Sequence, residues 1–86
     1  MNYNLFINEL LKMSLKDENS YLIRKYILED NSLLFDIYLE KDELSLLTKY
    51  NGKLINSIRT LVQASGFIHD QNHIRIDIHL NEKALN

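Results

Sequence analysis

The chain contains no cysteine. Disulfides and thiolate metal sites are therefore excluded, and a reducing, cytosolic setting fits. Proline is also absent while Leu, Ile, Asn and Lys abound. An AT-rich coding sequence produces that bias, so it carries no structural weight. No apolar run approaches the ~20 residues of a membrane span. The start, Met1-Asn2-Tyr3-Asn4, lacks the basic flank and apolar stretch of a signal peptide. Excess positive charge is missing too, since the formal net charge is −2. Non-specific nucleic-acid binders are usually basic, because neutralising phosphates dominates their affinity. Any anion binding here must come from a local patch. Eighty-six residues fit one small domain. We assign residues 1–80 to it and 81–86 to a frayed tail. Only two glycines occur, Gly52 and Gly66.

Tyr3 to Ser14 reads as a helix, with Asn2 as its N-cap. Tyr3, Phe6, Ile7, Leu10 and Met13 recur at the spacing of one buried face. The polar stretch at 16–20 reads as a loop. Tyr21 to Leu28 is rich in strand-favouring side chains, with Arg24 and Lys25 in the middle, which suits an edge strand. Glu29-Asp30-Asn31-Ser32 forms a turn cluster, so a hairpin follows. Leu33 to Leu39 alternates cleanly, as a half-buried strand does.

Asp42 is a candidate cap for a short helix from Glu43 to Thr48. A loop, Lys49-Tyr50-Asn51-Gly52, closes on the first glycine. A second helix, Lys53 to Ser65, carries Leu54, Ile55, Ile58, Leu61 and Val62 inward, with Gly66 as its C′ residue. Residues 70–72 turn the chain, and His73 to Leu80 alternates as the last strand. The order is α-β-β-α-α-β. The first two strands pair as an antiparallel hairpin. The second and last are joined by a helical crossover, so they should be parallel. The expectation is a two-layer α+β domain: a three-stranded mixed sheet with three helices on one face.

A loop that ends on glycine before a helix can point backbone N–H groups outward, an arrangement that favours phosphate. Lys49 and Lys53 bracket it with charge, Tyr50 can stack on a base, and Asn51 lies between. Asn56, four residues past Gly52, falls near the loop mouth. Arg59 falls one helical turn beyond Ile55, where it can reach a phosphate or pair with a surface carboxylate. Each of these residues also fits an ordinary solvated turn or helix face.

No arrangement of nucleophile, base and acid can be assembled, so no enzyme is expected. His73 and His79 share a strand face but stand ~20 Å apart, too far to hold one ion. No metal or cofactor is expected. Tyr21, Tyr26 and Tyr38 are read as exposed strand residues of the kind favoured at interfaces.

Element order, loop and helix together resemble a type II KH domain. Leu39 to Ala64 is similar to the small bacterial single-KH proteins of the KhpA (YlqC) type, whose loop reads Gly-Lys-Gln-Gly-Arg and whose helix continues Ile-Arg-Thr. Here the loop reads Lys49-Tyr50-Asn51-Gly52-Lys53, and the helix carries Ile58-Arg59-Thr60-Leu61-Val62. Lys49 stands where that family has its first loop glycine. If the position needs φ > 0, a side chain there costs roughly 1 kcal/mol or more. Against that, Lys49 brings a positive charge to the same spot.

The resemblance implies a cytoplasmic module that holds single-stranded RNA, of the RNA chaperone or post-transcriptional regulator type. It implies contacts from Lys49, Tyr50, Asn51, Gly52, Lys53, Leu54, Ile55, Asn56 and Arg59. Leu54, Ile55 and Ile58 would support the loop and line the groove. It also implies a homodimer, or a heterodimer with a larger KH protein of the KhpB (Jag/EloR) type. The missing glycine and the acidic balance support an alternative: a KH-derived dimerisation scaffold with little RNA affinity.

Overall fold

The computed structural model describes residues 2–15, 21–68 and 73–81, the side chain of Tyr50 excepted. The loop expected at 16–20, the turn at 70–72 and the tail beyond 81 lie outside the described residues. The elements are α1 (Tyr3–Ser14), β1 (Tyr21–Ile27), β2 (Leu33–Leu39), α2 (Lys41–Ile68) and β3 (Ile74–Leu80).

The sheet runs β1-β2-β3. β1 pairs antiparallel with β2, and β2 pairs parallel with β3, from Leu33↔Ile74 to Leu39↔Leu80. This is the expected mixed sheet. The hairpin turn is built from its own side chains. Asn31 takes φ 66°, a left-handed conformation that asparagine tolerates. The Asp30 carboxylate accepts the Ser32 N–H at 3.0 Å and the Ser32 hydroxyl at 2.5 Å.

Parallel pairing of β2 and β3 sets a length problem. After Leu39 the chain must return to the level of Leu33, the length of one strand, or ~23 Å for seven residues. A straight helix from Lys41 to Ile68 would run ~42 Å and overshoot. The surplus is absorbed at Asn51 and Gly52, which have φ of 60° and 76°. Two consecutive left-handed residues cannot continue a right-handed helical course. α2 is therefore two helical limbs, 41–50 and 53–68, abutting without coil between them. The order is α-β-β-α-α-β, as read. The second limb spans ~24 Å, the length of the strand it runs beside.

One core holds the layers together. Leu33, Phe35, Ile37 and Leu39 of β2 and Ile74 and Ile76 of β3 form its sheet side. Tyr3, Ile7, Leu11 and Leu15 come from α1 and its cap, and Leu47, Ile55, Ile58 and Val62 from α2. The Asn2 side chain accepts the Leu5 N–H at 3.0 Å, the cap read from sequence.

Several expectations are corrected. The buried stripe of α1 steps in fours through Leu11. Met13 falls about 120° from its centre at Ile7, at ~100° per residue, and it is 85 % exposed. Leu61 is likewise rotated by about 90° from the Ile55–Ile58–Val62 face and is half exposed. Gly66 is no C′ residue: the helix continues to Ile68, and Gly66 is buried inside it. Asp42 lies within the first turn of α2, not at its cap. The Leu44 N–H donates to the Glu40 carbonyl at 2.9 Å, which sets the start earlier.

The two Ser32 bonds, hydroxyl first and N–H second, hold the Asp30 carboxyl below its ordinary value of 3.8. A lowered carboxylate pKa stabilises the fold above the unfolded value, and the contribution is lost as pH falls through the lowered one. An NMR titration should place the Asp30 midpoint below 3.8 and, in Ser32→Ala, return it toward 3.8. A midpoint unmoved by Ser32→Ala would refute the cause.

Candidate nucleic-acid interface

The break in α2 is the centre of the site. Lys49 is exposed and still helical, and its φ is not positive. Glycine is therefore not required there, and the strain considered for Lys49 does not arise. The left-handed pair sits two residues on, at Asn51 and Gly52. Asparagine is the side chain that visits this region most readily after glycine. A Cβ at Gly52 would meet nothing closer than Asn56 Nδ2 at 3.4 Å, ordinary contact. The demand for glycine is thus one of backbone angle and not of space.

Lys49, Asn51 and Lys53 are all exposed around the break. The Tyr50 side chain lies outside the described residues. Leu54 is half-buried, while Ile55 and Ile58 are core residues, each 3 % exposed. The two isoleucines anchor the second limb to the sheet from beneath and present no side-chain surface of their own.

Asn56 connects the break to a second feature. Its amide nitrogen lies beside Gly52, and its Oδ1 accepts a bond from Arg59 Nη1 at 3.3 Å. Arg59 in turn donates from Nε to the Ile76 carbonyl at 3.1 Å. One helical turn later, Gln63 Nε2 donates to the Ile74 carbonyl. The spacing explains the match. Residues 59 and 63 are ~6.0 Å apart along a helix, and 76 and 74 are ~6.6 Å apart along a strand. In β3, His73 and Asn81 bond to β2, so the even-numbered residues turn their carbonyls to the free edge. Arg59 and Gln63 occupy two of those carbonyls and blunt an otherwise open edge.

An open groove of about 280 Å³ lies along this edge, lined by Arg59, Gln63, His73, Arg75, Ile74 and Ile76 among others. Two of these side chains, Arg59 and Arg75, are cationic, and Asp77, the carboxylate paired with Arg75, also lines the groove. Gln63, His73 and Arg75 were not among the expected site residues. Gln63 follows Arg59 by one helical turn, whereas His73 and Arg75 reach it only because β3 lies parallel beside the second limb.

The sheet face away from the helices is a grid. Its rows, read across the register, are Leu22–Tyr38–His79, Arg24–Asp36–Asp77 and Tyr26–Leu34–Arg75. Asp36 and Asp77 stand directly opposite, a destabilising like-charge pair. His79 Nε2 meets Asp36 Oδ1 at 2.9 Å and Arg75 Nε meets Asp77 Oδ1 at 3.0 Å, which offsets it. Asp36, Asp77 and His79 bring metal-type ligand atoms within 4.8 Å of one another, with Arg75 already on one carboxylate. His79 stacks on Tyr38 with ring centroids 5.1 Å apart. Of the three tyrosines read as exposed, Tyr26 is, and Tyr38 is half-buried in this stack. Tyr21 packs toward the helices instead, its hydroxyl donating to Asn8 Oδ1 at 2.5 Å.

No protein-family model matches the chain, and no curated protein matches it either. Among the described residues, no helix is long and apolar enough to cross a membrane.

Since only backbone angle restricts position 52, Gly52→Ala should cost about 1 kcal/mol, the price of a left-handed alanine. Thermal melting should fall by roughly 4–8 °C for a domain of this size. An unchanged melting temperature would show that the left-handed pair is not held in solution.

Proposed function

We propose that this chain is a single-stranded RNA-binding module of the type II KH kind, cytosolic and without a cofactor. One observation carries the reading. The left-handed break, flanked by Lys49 and Lys53, continues through Asn56 to Arg59 and the groove beside β3. Break and groove form a single track. At the break, backbone N–H groups at the start of the second limb would meet a phosphate, with the two lysines adding charge. Asn51 lies between the lysines, and Tyr50 would offer a stacking face. Asn56 and Arg59 would continue the contacts, and Arg75 and His73 would extend them across the groove. Leu54, Ile55 and Ile58 would hold the limb in place. The element order and the Ile58-Arg59-Thr60 segment support the resemblance to the KhpA type, and with it an RNA chaperone or post-transcriptional role.

A second reading has its own observation. Leu22 and Tyr26 are exposed on the open sheet face of β1, and Leu28 is exposed just beyond them at the hairpin. Such a surface favours a protein-interaction scaffold, as a homodimer or paired with a larger protein of the KhpB (Jag/EloR) type.

Titration of single-stranded RNA at several salt concentrations separates the two. Binding should weaken with salt by a log–log slope of ~0.7 per neutralised phosphate, so Lys49→Gln with Lys53→Gln should reduce that slope by about 1.4. Wild-type protein that shows no salt-sensitive binding at high micromolar concentration would leave the scaffold reading standing. Sedimentation would then have to show a dimer.

A further inference from the structure

The left-handed pair that breaks α2 is also an Asn-Gly dipeptide. We propose that Asn51 is a site of spontaneous deamidation, a modification written into the loop itself. In this reaction the Gly52 backbone nitrogen attacks the Asn51 side-chain carbonyl carbon, Cγ. A new C–N bond forms, the C–NH2 bond breaks, and ammonia leaves with the amide proton. The product is a five-membered succinimide. Water then opens either ring carbonyl, giving aspartate or isoaspartate. Nothing is oxidised or reduced, and the only co-reactant is water.

Three observations single out this asparagine. First, the next residue decides how easily the backbone nitrogen can approach, and only a glycine leaves it unshielded. Among the described asparagines, only Asn51 precedes glycine. Where a Cβ would stand at Gly52, the Asn56 and Ile55 side chains come no nearer than ordinary contact at 3.4 Å. Second, Asn51 is exposed and lies off the regular helical course at φ 60°, a conformation it shares with Asn31, which precedes Ser32 and not a glycine. The swing about its backbone that ring closure requires is not resisted there by an uninterrupted helix. Third, other asparagine side chains are tied down. Asn2 caps Leu5, Asn8 accepts the Tyr21 hydroxyl, and Asn56 accepts from Arg59. Asn8 and Asn56 also sit within helical limbs.

The consequence is electrostatic and geometric at once. Aspartate at 51 puts a negative charge between Lys49 and Lys53. Isoaspartate in addition lengthens the backbone by one carbon at the break. On the RNA-binding reading, either product removes the grip, so the loop ages from a phosphate site to a phosphate-repelling one.

The test incubates the full chain, folded, at mildly alkaline pH and physiological temperature, with peptide mapping by mass spectrometry over weeks. Conversion should accumulate at Asn51 ahead of every other asparagine and accelerate with pH. Gly52→Ala should slow it severalfold, and a second variant, Asn51→Gly, should remove it while keeping the left-handed turn. Conversion led by another asparagine, or a rate unchanged in Gly52→Ala, would overturn the proposal. Aged protein and Asn51→Asp are then titrated with single-stranded RNA. If both lose affinity relative to fresh protein, the loop's modification controls binding. If fresh protein binds no RNA, the functional reading fails, while the mapped modification stands by itself.

Discussion

The parallel pairing of β2 with β3 is the constraint on which the remaining structure depends. It fixes where the chain must be after Leu39 and again before Ile74, one strand length apart in the opposite sense. Helical residues far in excess of that length lie between the two points. A break inside the helical segment reconciles them. The left-handed pair at Asn51–Gly52 supplies it in two residues, without a coil loop. The same pair then leaves a second limb of strand length lying beside β3, with Arg59 and Gln63 in step with its edge carbonyls.

Much of this was legible from periodicity. Strand β2, with strict alternation, and the stripe of Tyr3 and Ile7 each report a single buried face. The errors share one origin. Three-and-four spacing is compatible with a face about 100° wide, and spacing alone does not say where its centre falls. The spacing admits Met13 and Leu61, which face outward, and passes over Leu11, which is fully buried. Gly66 shows a different limit: a glycine near a helix end reads as a stop signal. Here it is buried within a helix that continues to Ile68, which no local pattern distinguishes.

The candidate site was legible only in part. The loop residues follow from a glycine before an apolar helical run. The exemption of Lys49 does not, because it depends on where the left-handed residues fall, and a shift of two positions exchanges strain for none. The groove was further out of reach. Gln63, His73 and Arg75 carry no motif, and His73 and Arg75 meet Arg59 only through the crossover. Charge followed the same logic. A chain acidic in sum gathers Lys49, Lys53, Arg59 and Arg75 around one break and one strand edge. Arg75 brings its own counter-charge, because Asp77 pairs with it and lines the same groove.

The register of the sheet also orders events in time. β1 and β2 meet across the short Asp30–Ser32 turn, so little chain entropy opposes their pairing. Leu33 and Ile74 meet only after some forty residues have been organised, and closing a segment that long is slow. The hairpin can form early. The attachment of β3 closes a loop that contains the whole of α2, so it carries an entropic cost that the hairpin escapes.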